Sequence, residues 1–323
     1  MCVAKLRILV TRRWPEAVEQ ELAEDYDVTF NESDKPLDQS TLASAMNEYD
    51  VLCPTVSDRI DADVIAGGDR VKLLANYGVG FDHIALEAAR AKGIAVTNTP
   101  GVLTDATADL TMTLLLMATR RGGEGEREVR AGQWTGWRPT HLLGSSLHGK
   151  VLGLVGFGRI AQATACRARA FGMKIAYYGR HPADSKCACD LDAHFYPDLH
   201  ALLRAADMVS LHVPGGTQTR HMIDAAAIKA MREGAYLVNT ARGEVVDHEA
   251  LADALTGGHL AGAGLDVYPE EPKVPERLLA LPNVVLLPHL GSATRETREA
   301  MGRKVIANIH AWATGQNLPD AVS

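Results

Sequence analysis

Short apolar runs alternate with segments of helical periodicity along almost the whole chain. Runs at 6–10, 50–53, 72–75, 94–97, 151–155, 174–178, 207–211, 235–239, 262–266 and 284–287 read as strands. Helical patterns fall between them at 62–66, 83–92, 161–171, 199–205 and 248–256. Buried strands alternating with helices form parallel sheets covered on both faces, so the fold class is α/β.

Two longer helical patterns, at 103–121 and 294–312, flank a block of six predicted strands. Asn98-Thr99-Pro100-Gly101 closes the units before the first of them. A Gly- and charge-rich stretch with two tryptophans, residues 122–137, then leads to the strand at Val151. The two long helices read as crossovers. They predict a discontinuous domain, residues 1–101 plus 291–323, with a second domain, residues 102–290, inserted into it.

Composition agrees with this layout. A chain of 323 residues exceeds what one hydrophobic core usually serves. Apolar residues make up 46% and aromatics only 5%, so Ala, Leu, Val and Ile must supply the packing of helix on sheet. A formal net charge of −7 without a basic run excludes the electrostatic footprint of a nucleic-acid binder. Charge interrupts the N-terminal apolar residues, and no stretch is long enough to span a membrane. The five scattered cysteines show no zinc-ligand spacing, and the eleven histidines other than His289 show no pairing of metal-ligand spacing. The expectation is a cytoplasmic protein without a metal site.

The segment Val151-Leu152-Gly153-Leu154-Val155-Gly156-Phe157-Gly158-Arg159-Ile160-Ala161 is a strand entering a glycine turn and then a helix. Gly156 suits the tight turn, Gly158 lets backbone approach a pyrophosphate, and Ala161 stands where helix packs on strand. The helix N-terminus offers N–H groups and partial positive charge to phosphates. About twenty residues on, where an acidic side chain would bind the ribose 2′-hydroxyl of NAD, stands Tyr178-Gly179-Arg180. Arg180 suits a 2′-phosphate and favours NADPH, with NADH as the weaker alternative. The competing reading is an Arg180 that stacks on the adenine of an NAD enzyme.

Three further segments follow predicted strands, at the sheet edge where such folds bind ligands. They are Asn239-Thr240-Ala241-Arg242-Gly243, Leu265-Asp266-Val267-Tyr268 with Glu271-Pro272, and Pro288-His289 with Gly291-Ser292-Ala293-Thr294. They supply a cation, a carboxylate and an imidazole, the parts needed to reduce a 2-oxo acid. Arg242 suits the substrate carboxylate and carbonyl. His289 suits delivery of a proton to the carbonyl oxygen, and Glu271 would orient the imidazole and favour its protonated form. Singly, each has an ordinary explanation: a surface ion pair, an acidic turn, a satisfied histidine.

In order and spacing, these motifs resemble the D-isomer-specific 2-hydroxyacid dehydrogenases over nearly the full chain. The resemblance implies two Rossmann-like or flavodoxin-like domains, catalytic roles for Arg242, Glu271 and His289, and a nicotinamide contact at Asp266. It places further dinucleotide contacts at Thr107, Gly156, Gly158, Arg159, Ile160, Arg180, Val213, Pro214, Thr240, Ala241, Arg242, His289 and Gly291. It also assigns a backbone carboxylate-binding loop to Tyr77-Gly78-Val79-Gly80, with Val79 and Gly80 as substrate contacts. Thr55, Val56 and Ser57 line the substrate pocket by resemblance alone.

Within the family, Trp134-Thr135-Gly136-Trp137-Arg138-Pro139 and Gly179-Arg180 are most similar to glyoxylate/hydroxypyruvate reductases. That branch implies NADPH-dependent reduction of glyoxylate to glycolate and of hydroxypyruvate to D-glycerate. It further implies a homodimer through the nucleotide-binding domains, with Trp137 bordering the partner's substrate pocket; the bland alternative is an interface anchor. Sister activities on pyruvate, phenylpyruvate or 2-ketogluconate stay open. A rival of another class is a dinucleotide-sensing, corepressor-like binding protein, distinguished by partner capture without turnover.

Overall fold

The computed structural model describes residues 5–184, 188 and 190–322. Its contacts divide the chain into two units, one holding the residues to Leu103 and from Ala293, the other Thr104–Ser292. Cys2, Cys187 and Cys189 lie outside the described residues.

The first unit carries a five-stranded parallel sheet in the order β2-β1-β3-β4-β5. Its strands are β1 (Arg7–Val10), β2 (Asp27–Phe30), β3 (Val51–Cys53), β4 (Leu73–Ala75) and β5 (Ala95–Thr97). β3 and β4 are buried along their whole length, as strands covered on both faces must be. One face packs on the helices Glu16–Asp25 and Arg295–Ala313 through Val18, Leu22, Met301, Val305 and Ile309. The other packs on Gln39–Glu48, Ala62–Ala66 and Leu86–Ala91 through Leu42, Met46, Val64, Ile65 and Ala89. Asp38 and Asp61 cap two of these helices by accepting the N–H groups of Thr41 and Val64. Gly302 lets helix Arg295–Ala313 settle on its neighbour, since a Cβ there would stand 2.5 Å from Val18 Cγ1.

The second unit carries seven parallel strands in the order β12-β11-β10-β9-β6-β7-β8. They are β6 (Val151–Val155), β7 (Lys174–Tyr178), β8 (Ala193–Tyr196), β9 (Met208–Leu211), β10 (Ala235–Asn239), β11 (Leu260–Leu265) and β12 (Val284–Leu286). Helices Thr104–Thr119 and Arg159–Ala170 cover one face, with Leu114, Leu115, Ala161 and Ala165 in the core. Leu199–Ala205, Ala225–Ala230 and His248–Thr256 cover the other. Read from β6, the order is that of a doubly wound dinucleotide fold extended by one strand.

Three expectations need correction. The block between the long helices has seven strands, because β8 (AHFY) is a half-exposed edge strand whose polar positions mask the apolar run. β2 was missed for the same reason, its side chains being half-buried at best. Residues 122–137 begin with a helix, Gly122–Arg130, although it holds three glycines and buries no residue. Ion pairs Arg121–Glu124 and Glu126–Arg130 and a bond from Arg127 to the Pro282 carbonyl hold it, where propensity alone would not.

Helix Thr104–Thr119 meets β11 at Gly264, where an added Cβ would stand 2.9 Å from Leu114 Cβ. Leu114 is fully buried there. Leu114→Ala should therefore lower the urea midpoint by the equivalent of about 2–5 kcal/mol; an unchanged midpoint would mean that the site collapses without loss.

Candidate active site

The strand order of the second unit reverses between β6 and β9, so the chain leaves these strands in opposite directions and opens a crevice at their carboxyl ends. Gly156 occupies the turn after β6 with φ +89°, a value natural only to glycine. A Cβ there would meet the His212 carbonyl oxygen at 2.6 Å, so the two strand ends approach as closely as a bare backbone allows. At Gly158 a Cβ would meet nothing within 4 Å, which leaves this face of the turn open. Gly158 also starts helix Arg159–Ala170, and no side chain caps it. The first N–H groups of a twelve-residue helix are thus offered outward, a cradle that fits a pyrophosphate.

Around this cradle lie Arg159, exposed, and Ile160, half-buried. Val213 and Pro214 follow β9. Just before them the His212 ring shares a 2.9 Å hydrogen bond with Ser210 Oγ, and burial pushes its pKa down to about 3, so it is neutral. Beyond β7, Gly179 and Arg180 stand without an acidic neighbour at the ribose position. Arg180 is exposed, with no hydrogen bond or ion pair among the described residues.

Three further strand ends converge on one imidazole. After β10, fully buried Asn239 staples the turn: its Nδ2 donates to the Arg242 carbonyl at 2.8 Å and its Oδ1 accepts from Ala241 N at 2.9 Å. Thr111 gives its hydroxyl proton to the Thr107 carbonyl at 2.8 Å, so the 2.9 Å contact between Thr111 and Thr240 has Thr240 donating. Arg242 Nη1 donates to the Ala241 carbonyl. Gly243 follows, packed so tightly that a Cβ would fall 1.9 Å from the Tyr268 carbonyl carbon. The Arg242 turn and the segment after β11 are therefore in backbone contact.

After β11, Asp266 is 1% exposed. Its Oδ1 and Oδ2 accept the N–H groups of Leu290 and Gly291 at 2.7 and 2.8 Å, and its carbonyl accepts that of His289 at 2.9 Å. Thr107 Oγ1 in turn donates to the Gly291 carbonyl at 3.0 Å. Glu271 Oε1 accepts from Tyr268 N at 3.0 Å, and its Oε2 lies 2.8 Å from His289 Nδ1. An ionised carboxylate only accepts, so Nδ1 carries the hydrogen and Nε2 is left as the atom that can exchange a proton. Burial would raise the pKa of Glu271, but the His289 hydrogen bond and charge, the Tyr268 N–H and Arg242 outweigh it and hold the carboxyl below 4.5. For Asp266 burial wins, and its pKa is raised above 3.8.

Thr107, Thr240, Ala241, Arg242, Asp266, Glu271, His289 and Gly291 thus form one hydrogen-bonded set in the second unit. Val79 and Gly80 belong to the first unit, half-buried in the loop after β4. Trp137 stands 83% exposed and Trp134 54% exposed. Thr111, His212 and the stapling role of Asn239 were not foreseen. Asn239 has a visible signal, a polar residue closing an apolar strand; Thr111, within a run of apolar helix residues, has none.

Residues 112–291 match the family model described as D-isomer specific 2-hydroxyacid dehydrogenase, NAD binding domain. A glyoxylate reductase from Thermococcus litoralis is 45% identical, over 99% of this chain and 97% of its own length. The solved TT0316 protein of Thermus thermophilus is 46% identical, with a TM-score of 0.90 over 98% of this chain and all of that one. A Sinorhizobium meliloti NADPH-dependent glyoxylate/hydroxypyruvate reductase, solved with NADP and malonate, is 36% identical. Its TM-score is 0.89, over 99% of this chain and 97% of that one.

The lowered Glu271 pKa has a stability consequence. Unfolded Glu binds a proton more readily than the native residue, so this carboxylate stabilises the fold fully above 4.5 and loses its effect as pH falls through the lower native value. The gap in urea midpoint between wild type and Glu271→Gln should therefore shrink as pH falls below about 4.5 and through the lowered native value. A gap constant across that window would mean that Glu271 is not ionised beside His289.

Proposed function

The chain belongs to the D-isomer specific 2-hydroxyacid dehydrogenase family and is an oxidoreductase acting on CH–OH groups; we propose that it reduces glyoxylate and hydroxypyruvate with NADPH. The observation that carries the reading is the imidazole of His289, fixed by Glu271 at Nδ1 and open at Nε2. The open glycine turn and uncapped helix after β6 fit a nicotinamide dinucleotide, which when bound supplies the hydride.

In this reading His289 Nε2–H gives the proton to the carbonyl oxygen of the 2-oxo acid as that oxygen gains negative charge. Glu271 holds the ring in place through Nδ1. Arg242 takes the substrate carboxylate and carbonyl oxygen through its forked N–H groups, while Asn239 fixes the backbone beneath it. The backbone N–H groups of Val79 and Gly80 are a second holder of the substrate carboxylate. Asp266 would hold the carboxamide of the nicotinamide. Thr107, Gly156, Gly158, Arg159, Ile160, Val213, Pro214, Thr240, Ala241 and Gly291 complete the dinucleotide contacts.

NADPH rather than NADH rests on Arg180, a guanidinium free among the described residues at the ribose end of β7. The Sinorhizobium relative solved with NADP supports it. A homodimer through this unit rests on the exposed apolar side chains Val129, Trp134, Trp137 and Leu143, too large a set for one solvated segment. Trp137 is the residue of that set assigned to the partner's substrate pocket.

The test is nicotinamide oxidation with NADPH and NADH against glyoxylate, hydroxypyruvate, pyruvate and 2-ketogluconate. Fast turnover of the first two with NADPH is expected; preference for a bulkier acid would overturn the substrate assignment. His289→Ala should lower kcat by about a hundred- to ten-thousandfold while dinucleotide binding, read by fluorescence titration, stays within twofold. Equal loss of both would remove the proton-donor role. Arg180→Ala should reduce the preference for NADPH over NADH by about ten- to a hundredfold; an unchanged ratio would place the 2′-phosphate elsewhere.

A further inference from the structure

The loop after β4 is shaped by two buried asparagines, Asn76 and Asn98. Asn76, fully buried, donates both hydrogens of its Nδ2: one to the Gly78 carbonyl at 3.0 Å, the other to the Gly80 carbonyl at 2.9 Å. Asn98, 8% exposed, donates to the Val79 carbonyl at 2.8 Å. The Gly78 carbonyl also accepts from Thr99 N at 3.0 Å. Three consecutive carbonyls are thus turned onto side-chain amides.

A trans peptide points its N–H opposite to its C=O. The N–H groups of Val79 and Phe81 therefore point away from Asn76 and that of Gly80 away from Asn98, and none has a partner among the described residues. Unpartnered N–H groups on successive residues carry partial positive charge that an anion can use. Nothing here depends on a charged side chain; the polarity is imposed by Asn76 and Asn98.

Asn76 is itself oriented. With both Nδ2 hydrogens donated, its Oδ1 can only accept, and it lies 3.0 Å from His83 Nε2. His83 therefore donates, and a flipped amide would set Oδ1 against two carbonyl oxygens. We propose that Asn76, Asn98 and His83 are positioning residues that create the carboxylate-binding character of the 78–81 loop and so select 2-oxo acids over neutral carbonyl compounds. This rests on the function proposed above.

The experiment compares glyoxylate with glycolaldehyde, the same two-carbon carbonyl without the carboxylate, in wild type, Asn76→Asp, His83→Leu and His83→Gln. Asp at 76 keeps the shape but offers oxygen where two carbonyls need a donor. For Asn76→Asp, KM for glyoxylate should rise tenfold or more, with kcat/KM for glycolaldehyde within threefold of wild type and the dissociation constant for NADPH within twofold. His83→Leu should raise the glyoxylate KM severalfold, and His83→Gln, which restores an N–H donor, should return it toward wild type. The His83 pair carries the test if Asn76→Asp does not fold. Equal losses on both carbonyl substrates, or an unchanged glyoxylate KM in folded variants, would overturn the proposal. Wild-type protein inactive on every 2-oxo acid would instead sink the underlying function, and that result appears before any variant is made.

Discussion

Each N–H group in the turn His289–Gly291 is taken by one residue. Asp266 uses its carbonyl for His289 and its two carboxylate oxygens for Leu290 and Gly291. His289 sits there with φ +55°, a left-handed conformation that a non-glycine residue holds only when its surroundings demand it. Asp266 is in turn carried on β11, whose pairing with β10 and β12 is parallel and in continuous register from Tyr236↔Gly262 onward. The imidazole is therefore aimed by a sheet, through one buried carboxylate.

The two carboxylates near His289 do opposite things because their surroundings differ. Asp266 has backbone donors but deep burial, and burial prevails; Glu271 has the ring itself as partner, and ionisation prevails. Environments that push like groups apart divide labour without changing residue type. Asp266 fixes backbone, and Glu271 holds charge against the ring. Gly243 binds the third strand end to these two, since its missing side chain lets the Arg242 turn lie on the Tyr268 backbone.

Much of the architecture was legible because buried parallel strands are short uninterrupted apolar runs, as in β3, β4, β6 and β10. The edge strands β2 and β8 were not, since a strand paired on one side alternates weakly and keeps polar residues. Glycine turns and strand-end motifs marked where chemistry gathers, because those positions need particular residue types. The loop after β4 was illegible from its own letters: Tyr77-Gly78-Val79-Gly80 has no polar side chain to read beyond a tyrosine hydroxyl. Its polarity comes from Asn76 and Asn98, twenty-two residues apart in sequence and joined only by folding. Resemblance to a family pointed to that loop; the physical reason for it required coordinates.

The C-terminal helix has a consequence for the order in which this protein is made. Trp14, Val18 and Tyr77 share one core with Met301, Val305 and Ile309, and Tyr77 Oη donates to the Arg298 carbonyl, 221 residues further on. A ribosome must therefore extend the chain as far as helix Arg295–Ala313 before that core can close. The second unit, Thr104–Ser292, is contiguous and complete by then. Until helix Arg295–Ala313 emerges, one apolar face of the first sheet is covered by helix Glu16–Asp25 alone, and it is on nascent chains at that stage that chaperones have most to shield.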